Sequence, residues 1–466
     1  MQQRRIALDD SRPIWQAMLV FLVPLMISNV LQSASATLNS IYLGRLIGVH
    51  ALAAVSVFFP IVFFMISFFI GIASASSVLI GQAYGAHDEE RLKAVAGTTL
   101  TLSIGVGVIV GGIGWLLLPQ LLALIGTPPD VFADSLSYAR IVFLSLPLLF
   151  VYLAYTTFVR GTGDSRTPLL SLIVSTILIL IVTPALIRGW FGLPQLGVAS
   201  AAYANIVANF IALLYMLGAL ALEKNPLALD LSIVRHMKLE PKLLVALIRI
   251  GIPTGVQMVM VSLAEIAVIS LVNRFGSSAT AAYGAVNQIA SYVQFPAISI
   301  GIASSIFGAQ AIGARKFDRL RKIARAGIGL NWVIGAILIT VVYLFDNRIL
   351  SWFVTDPGVI ATAHELLQIT LWSYVLFGTS SVLSGLMRSS GTVLWPTLLS
   401  IISIWGVEVP VAYTLAPHLG LRGVWIAYPV AFAVSLALQT FYYRVFWRRQ
   451  KLTVLIESHN VEPVTT

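Results

Sequence analysis

An internal repeat decides the fold, and it is clearest in a short motif that ends an apolar stretch. Residues 82–86 read Gln-Ala-Tyr-Gly-Ala, and residues 310–314, which lie 228 positions later, read Gln-Ala-Ile-Gly-Ala. Other matches recur at nearly the same spacing: Arg91-Leu92 with Arg319-Leu320, then Arg160, Gly163 and Pro168 with Arg388, Gly391 and Pro396, then residues 71–74 with 301–304, and Pro24 with Pro253. Several matches in one order at one spacing predict two similar halves.

The composition is that of an integral membrane protein. Of the 466 residues, 58% are hydrophobic and 10% are charged, and the mean hydropathy is +0.91. A soluble domain carries about 25% charged residues, so this chain has too few of them to coat a surface that faces water. The composition therefore excludes a string of soluble domains, which the length alone would suggest.

Twelve apolar stretches reach the length of about 20 residues that a membrane-spanning helix needs. They are predicted near 15–42, 53–80, 95–122, 136–158, 168–187, 197–222, 243–272, 281–309, 326–345, 364–386, 393–416 and 423–447. With six helices each, both halves enter the membrane in the same orientation, as parallel repeats do in transporters. We predict an all-α polytopic membrane protein with a lobe at 13–222, a linker at 223–242, a lobe at 243–447 and a tail at 448–466.

The distribution of basic residues predicts the orientation. If both termini lie inside, 23 of the 29 Lys and Arg residues fall in or beside the cytoplasmic loops and tails. Such an excess marks the cytoplasmic side. The net charge of +10 therefore reflects membrane orientation and not a nucleic-acid partner. We expect a multi-pass protein of a prokaryotic cytoplasmic membrane with both termini in the cytoplasm.

Several kinds of chemistry are excluded. The chain has no Cys, its six His residues show no metal-ligand spacing, and no Gly-rich motif followed by Lys is present to bind ATP. We therefore expect no enzyme activity, no bound metal and no cofactor other than a transported ion. As partners we expect small amphipathic molecules and membrane lipids, and we expect a monomer.

The repeat and three motifs resemble the multidrug and toxic compound extrusion (MATE) transporters. The motifs are the loop at residues 81–86, the turn Arg-Gly-Thr-Gly-Asp-Ser-Arg-Thr-Pro at residues 160–168, and Leu-Gly-Val-Ala-Ser-Ala-Ala at residues 196–202. The resemblance covers residues 13–447. It implies export of organic cations and other amphipathic compounds in exchange for H+ or Na+ by alternating access of two lobes. The alternative is a flippase for a lipid-linked sugar, as in related branches.

Two acidic residues lie deep in the predicted helices. Glu265 falls in the seventh helix, and Glu408 falls in the eleventh, two residues before Pro410. An ionisable group at the bilayer centre costs about 2.5–3.5 kcal/mol on insertion scales, so each is a candidate functional residue. We expect both to bind the coupling ion; the alternative is a neutral carboxyl that hydrogen-bonds between helices.

The first half departs from the family pattern. Members often carry an Asp in the first helix, where this chain has Asn39, and many carry one before the fifth-helix proline, where it has Thr183. The common acidic position of the seventh helix falls at Val261, one turn before Glu265. Asn39 can coordinate a cation but cannot carry a proton. We expect coupling to rest on the second half, with Asn39 as a further ion ligand.

Amide side chains inside the helices are candidates for a substrate cavity. Asn205 and Asn209 share a face of the sixth helix because they are four residues apart. Hydrogen bonding between helices is an equal alternative. The predicted cavity residues are Gln257, Asn205, Asn209, Asn287 and Gln288.

Overall fold

The structure is a computed structural model that describes residues 13–455, apart from the side chains of Val49, Leu52, Val57, Phe59 and Phe191. The predicted tail lies outside the described residues from 456 onward. The α-helices of the described chain are α1 Ile14–Tyr42, α2 Val49–Gly85, α3 Glu89–Leu124, α4 Pro129–Gly161, α5 Arg166–Arg188, α6 Ala199–Leu222, α7 Leu231–Arg235, α8 Pro241–Asn273, α9 Ser277–Gly313, α10 Asp318–Leu350, α11 Pro357–Thr370, α12 Tyr374–Ser389, α13 Leu394–Ser403, α14 Val409–Leu419 and α15 Leu421–Val445.

Twelve helical segments of the described chain are long and apolar enough to cross a membrane, which confirms the predicted fold class. Two of these segments are broken by an irregular turn. The tenth joins α11 and α12 through a 3-10 turn at Leu371–Ser373, and the eleventh joins α13 and α14 through a π-helical turn at Ile404–Glu408. Both breaks lie in the second half of the chain.

Some helices begin earlier than the sequence predicted, because their first turns are charged and not apolar. α3 begins at Glu89 instead of 95, and α10 begins at Asp318 instead of 326. The Asp88 carboxylate accepts a hydrogen bond of 2.9 Å from the backbone N–H of Arg91 and so caps α3. A capped polar turn extends a helix beyond the apolar stretch from which it was predicted.

The repeat extends to the backbone of the turns. His87 after α2 and Arg315 after α9 both adopt positive φ angles, 59° and 56°. Gly163 after α4 and Gly391 after α12 match in the same way, with φ of 92° and 79°. Positive φ is uncommon for residues other than glycine. Its recurrence at positions 228 residues apart indicates that the two halves fold alike.

By their internal contacts, the described residues divide into two compact units, 27–252 on the one hand and 13–26 with 253–455 on the other. Each division falls inside a helix and beside a proline, which is Pro24 in α1 and Pro253 in α8. The lobe boundaries given by the sequence stay a prediction.

In the first unit, the linker is bound to the first turns of α3. Arg91 forms an ion pair with Glu240 at 3.0 Å, and Lys93 forms one with Asp230 at 3.4 Å. Thr98 Oγ1 donates a hydrogen bond to a linker carbonyl oxygen at 3.0 Å. These contacts hold the linker, including the short helix α7, against α3.

The second unit is built around α9, most of which is buried. Phe21 of α1 packs edge-to-face on Phe307 of α9, with ring centroids 5.8 Å apart. α12 lies so close to α9 that a Cβ atom at Gly385 would overlap the carbonyl oxygen of Gly301. This close packing fixes the frame on which the candidate site is carried.

Candidate functional site

Glu408 is the buried acidic residue around which the candidate site is built. The π-helical turn Ile404–Glu408 ends on it, and α14 follows directly. Pro410 has no backbone N–H, so it cannot donate the bond that would continue a regular α-helix across this turn. Glu408 is 7% exposed. π-helical turns are rare and often occur at functional positions.

Two hydrogen bonds hold α8 beside this turn. The indole N–H of Trp405 donates to the carbonyl oxygen of Met260 at 3.0 Å, and the Tyr413 hydroxyl donates to that of Ala267 at 3.1 Å. Glu265 lies between the two acceptors, and Glu408 lies between the two donors. The two carboxylates also interact electrostatically.

Three tyrosines lie near the two glutamates. Tyr283 of α9 and Tyr428 of α15 bring their hydroxyl oxygens to 3.5 Å from each other. Tyr374, the first residue of α12 after the 3-10 turn, lies within electrostatic range of both carboxylates, and so does Tyr283. The cluster thus gathers side chains from α8, α9, α12, α15 and the π-helical turn, all in one unit.

The two glutamates differ in their access to the surroundings. Glu265 is exposed, whereas Glu408 is buried. Among residues 13–455, no basic side chain forms an ion pair with either of them. The cluster therefore carries acidic groups whose charge no fixed cation balances.

One of the three predicted amides of the second half joins the cluster. Asn287 lies one turn from Tyr283 on α9, and its side-chain amide is close enough to interact with the tyrosine hydroxyl. Gln288 and Gln257 are half-buried, and no hydrogen bond links either of them to the cluster in the described structure. The structure thus brings together Glu265, Glu408 and Asn287.

The candidates of the first half lie in the other unit. Asn205 donates to the carbonyl oxygen of Ala201 in its own helix at 2.8 Å, and Asn209 is half-buried one turn later. The side-chain oxygens of Asn39 and Thr183 are buried and have no hydrogen-bond partner in the described structure. The acidic residues described in this unit lie at helix ends or in loops.

The cluster offers only oxygen ligands and proton carriers. Carboxylate, hydroxyl and amide oxygens suit hard cations, and a carboxylate also binds a proton. No group of three or more His, Asp or Glu side chains within the described chain has the geometry of a metal site. The ligand types of the cluster are chemically suited to a small hard cation or to H+.

The sequence did not predict the three tyrosines as site residues, because the candidates were chosen among acidic and amide side chains. Tyr283, Tyr374 and Tyr428 each lie more than one turn inside a membrane-spanning segment. A buried tyrosine hydroxyl usually finds a polar partner. That position inside an apolar segment was the signal that could have found them.

Comparison with known proteins decides the family. The MatE family model matches residues 24–185 and again residues 253–414. The chain belongs to the MatE family. The second match lies in the second half, which confirms the two repeats and the predicted resemblance. The MatE protein is thus a multi-pass membrane transporter.

Curated relatives of this MatE protein extend over almost its whole length. The probable multidrug resistance protein YoeA of Bacillus subtilis (strain 168) is 52% identical over 459 residues, which is 98% of this chain and 99% of YoeA. The multidrug export protein MepA of Staphylococcus aureus (strain NCTC 8325 / PS 47) is 23% identical over 457 residues, 97% of this chain and 98% of MepA. The family is one of multidrug efflux, and nothing in these relatives supports the flippase alternative.

Solved structures share the fold. A crystal structure of MATE in complex with MaD3S superposes with a TM-score of 0.86 and 21% identity, covering 95% of this chain and 98% of that one. An outward-facing multidrug resistance MATE transporter of the MOP superfamily gives 0.86 and 21%, covering 95% and 97%. At this identity the likeness concerns the fold alone.

Proposed function

We propose that this MatE transporter exports amphipathic or cationic organic compounds in exchange for H+ or Na+, with Glu408 and Glu265 binding the coupling ion. The observation that carries the proposal is the burial of Glu408 beside Glu265 without a basic partner in the described chain. The substrate class is supported by the names of the relatives, which are multidrug export and resistance proteins.

The physical reason is the cost of a buried charge. An ionised carboxylate inside the membrane costs about 2.5–3.5 kcal/mol on insertion scales, and a bound proton or Na+ removes that cost. A cation that binds more tightly in one conformation shifts the equilibrium toward that conformation. In our proposal, loading and unloading of this cluster drives alternating access of the two lobes.

The remaining assignments belong to the same proposal. Asn39 acts as a further ion ligand, and the transporter works as a monomer in a prokaryotic cytoplasmic membrane with both termini in the cytoplasm. The amides proposed to contact substrate are Gln257, Asn205, Asn209, Asn287 and Gln288.

The test is export of a fluorescent organic cation from cells that lack other exporters. Glu408→Gln and Glu265→Gln remove the charge but keep the shape of the side chain, so each is expected to lower export about tenfold or more, within the ~5–150-fold range of coupled binding. Glu408→Asp keeps an ionisable group and is expected to retain part of the activity.

Glu365→Gln is the matched control. Glu365 belongs to the same unit, but it pairs with Arg422 near the start of α15 and not with the cluster. We expect normal export from this variant. If Glu408→Gln exports at the wild-type rate while present at wild-type amounts, Glu408 is not a coupling residue.

A further inference from the structure

A groove on the second unit shares no lining residue with the candidate site. It has a volume of about 510 Å³ and is open to its surroundings over most of its area. One residue of α12 and seven of α15 line it, namely Leu376, Ala433, Leu436, Ala437, Thr440, Phe441, Arg444 and Val445. Except for Thr440 and Arg444, every lining side chain is apolar.

The shape of the groove follows from the spacing of these residues. Ala433, Ala437, Phe441 and Arg444 recur every three to four positions, so they share one exposed face of α15. The small side chains of the alanines leave the space that forms the groove. From position 433 to 444 the helix rises about 16 Å at ~1.5 Å per residue, roughly half of the ~30 Å hydrocarbon core. The groove is therefore about as long as one leaflet is thick.

One end of the groove is basic. Arg444 is exposed, and no acidic side chain in residues 13–455 pairs with it. Arg448 and Arg449 follow on the 3-10 turn that succeeds α15. Arg321 of α10 and Arg448 both lie within electrostatic range of Tyr443, the neighbour of Arg444. The Arg444 guanidinium thus lies at a helix end that is followed by two further arginines.

We propose that this groove binds an anionic phospholipid, with one acyl chain along the alanine face of α15 and the lipid phosphate on Arg444. A guanidinium donates paired hydrogen bonds to phosphate oxygens, and arginines near helix ends extend toward the headgroups. A phospholipid has an anionic headgroup and an acyl chain about as long as one leaflet is thick. It therefore matches the groove in charge and in length.

The same charge argues against the exported compounds as occupants. A cationic substrate would meet Arg444 and the neighbouring arginines, which repel it. The lipid site therefore differs from the acidic cluster in its lining residues and in the sign of its charge. It does not depend on the proposed transport function.

Native mass spectrometry of the purified full-length protein tests the proposal. Phosphatidylglycerol and phosphatidylcholine with identical acyl chains are titrated in detergent, and the first bound lipid is counted. We expect preferential retention of phosphatidylglycerol. Arg444→Gln should weaken that binding about fivefold, which corresponds to about 1 kcal/mol for one basic residue near a membrane surface. Ala437→Leu fills the hollow and should also reduce it, whereas Arg444→Lys should keep most of it.

Two control variants complete the test. Arg249→Gln removes an exposed arginine from α8, and Ala336→Leu enlarges an exposed alanine of α10; both should bind lipid as the wild type does. Equal retention of the two lipids, or an equal loss in Arg249→Gln and Arg444→Gln, overturns the proposal. So does wild-type binding by Ala437→Leu. Complete competition by inorganic phosphate overturns the lipid assignment in favour of a free-anion site.

Discussion

Glu408 differs from Asp346, the other buried acidic residue of the described spanning segments, in having no imidazole or amide side chain in contact with its carboxylate. Asp346, near the end of α10, is 5% exposed, yet His364 Nδ1 lies 2.6 Å from its carboxylate and Gln368 donates to it at 3.4 Å. A buried carboxylate with such neighbours is satisfied by the protein itself. Glu408 instead lies near tyrosines and a second carboxylate, and we propose that a mobile cation balances its charge.

The tyrosine hydroxyls are expected to tune the affinity for that cation. Tyr283→Phe removes a hydroxyl beside the carboxylates and should raise the ion concentration for half-maximal export about fivefold, since a hydrogen bond in a charged site contributes roughly 1 kcal/mol or more. Ion titration of export measures this. Tyr343→Phe, whose hydroxyl donates to the Gln368 carbonyl oxygen, should leave the titration unchanged. An equal shift in both variants would contradict a role for the cluster.

Two glycines of the second unit should respond oppositely to alanine. At Gly385 the added Cβ meets the backbone of α9, which cannot yield, so Gly385→Ala should destabilise by about 1–3 kcal/mol. At Gly284 no atom lies within 4 Å of the added Cβ, and alanine favours a helix by about 1 kcal/mol. Thermal unfolding in detergent measures both. Similar unfolding temperatures for the two variants would contradict the close approach of α9 and α12.

The linker is held against α3 by contacts at its short helix α7. The carboxylate of Asp230 accepts the backbone N–H of Ile233 at 2.8 Å and lies 3.4 Å from Lys93 Nζ. The hydrogen bond from Ile233, and then the charge of Lys93, hold the pKa of Asp230 below its usual 3.8. A lowered pKa means that this stabilisation is present above about pH 4 and is lost as the pH falls through the lowered value.

Asp230 variants are expected to separate the cap from the charge. Asp230→Asn keeps a side-chain oxygen that caps α7 but loses the negative charge, and with it the acid-sensitive part of the stabilisation. Asp230→Ala also loses the helix cap, which is worth about 1 kcal/mol. Hydrogen exchange of the amides of residues 223–242 measures the difference. Faster exchange in Asp230→Ala than in Asp230→Asn is the expected result. Identical exchange in both variants would show that the cap does not hold the linker.

The sequence predicted the helices better than the contacts between them. Long apolar stretches and a repeat at constant spacing were enough for twelve helices in two halves, because both features are local or periodic. The two glutamates stood out because charge is rare in such helices. The cluster as a whole depends on the π-helical turn before Pro410 and on bonds such as Trp405 to Met260, which join helices far apart in sequence. No local pattern specifies those contacts.

At the scale of the whole molecule, the even number of helices in each half and the basic residues together predict the topology. The chain contains no cysteine, so single cysteines can be introduced without interference. Ser351→Cys, after α10, should react with a membrane-impermeant maleimide in intact cells. Lys242→Cys, at the start of α8, should react only after the membrane is opened. Labelling of Lys242→Cys in intact cells would contradict the predicted orientation.

We propose that a cation bound by the Glu408 cluster drives export. Proteoliposomes that transport a fluorescent organic cation test it most directly, with a pH gradient and a Na+ gradient imposed separately. We predict that one of the two gradients drives transport, that Glu408→Gln abolishes this response, and that Glu365→Gln preserves it. Transport that ignores both gradients, or a Glu408→Gln protein driven as well as the wild type, would contradict the account.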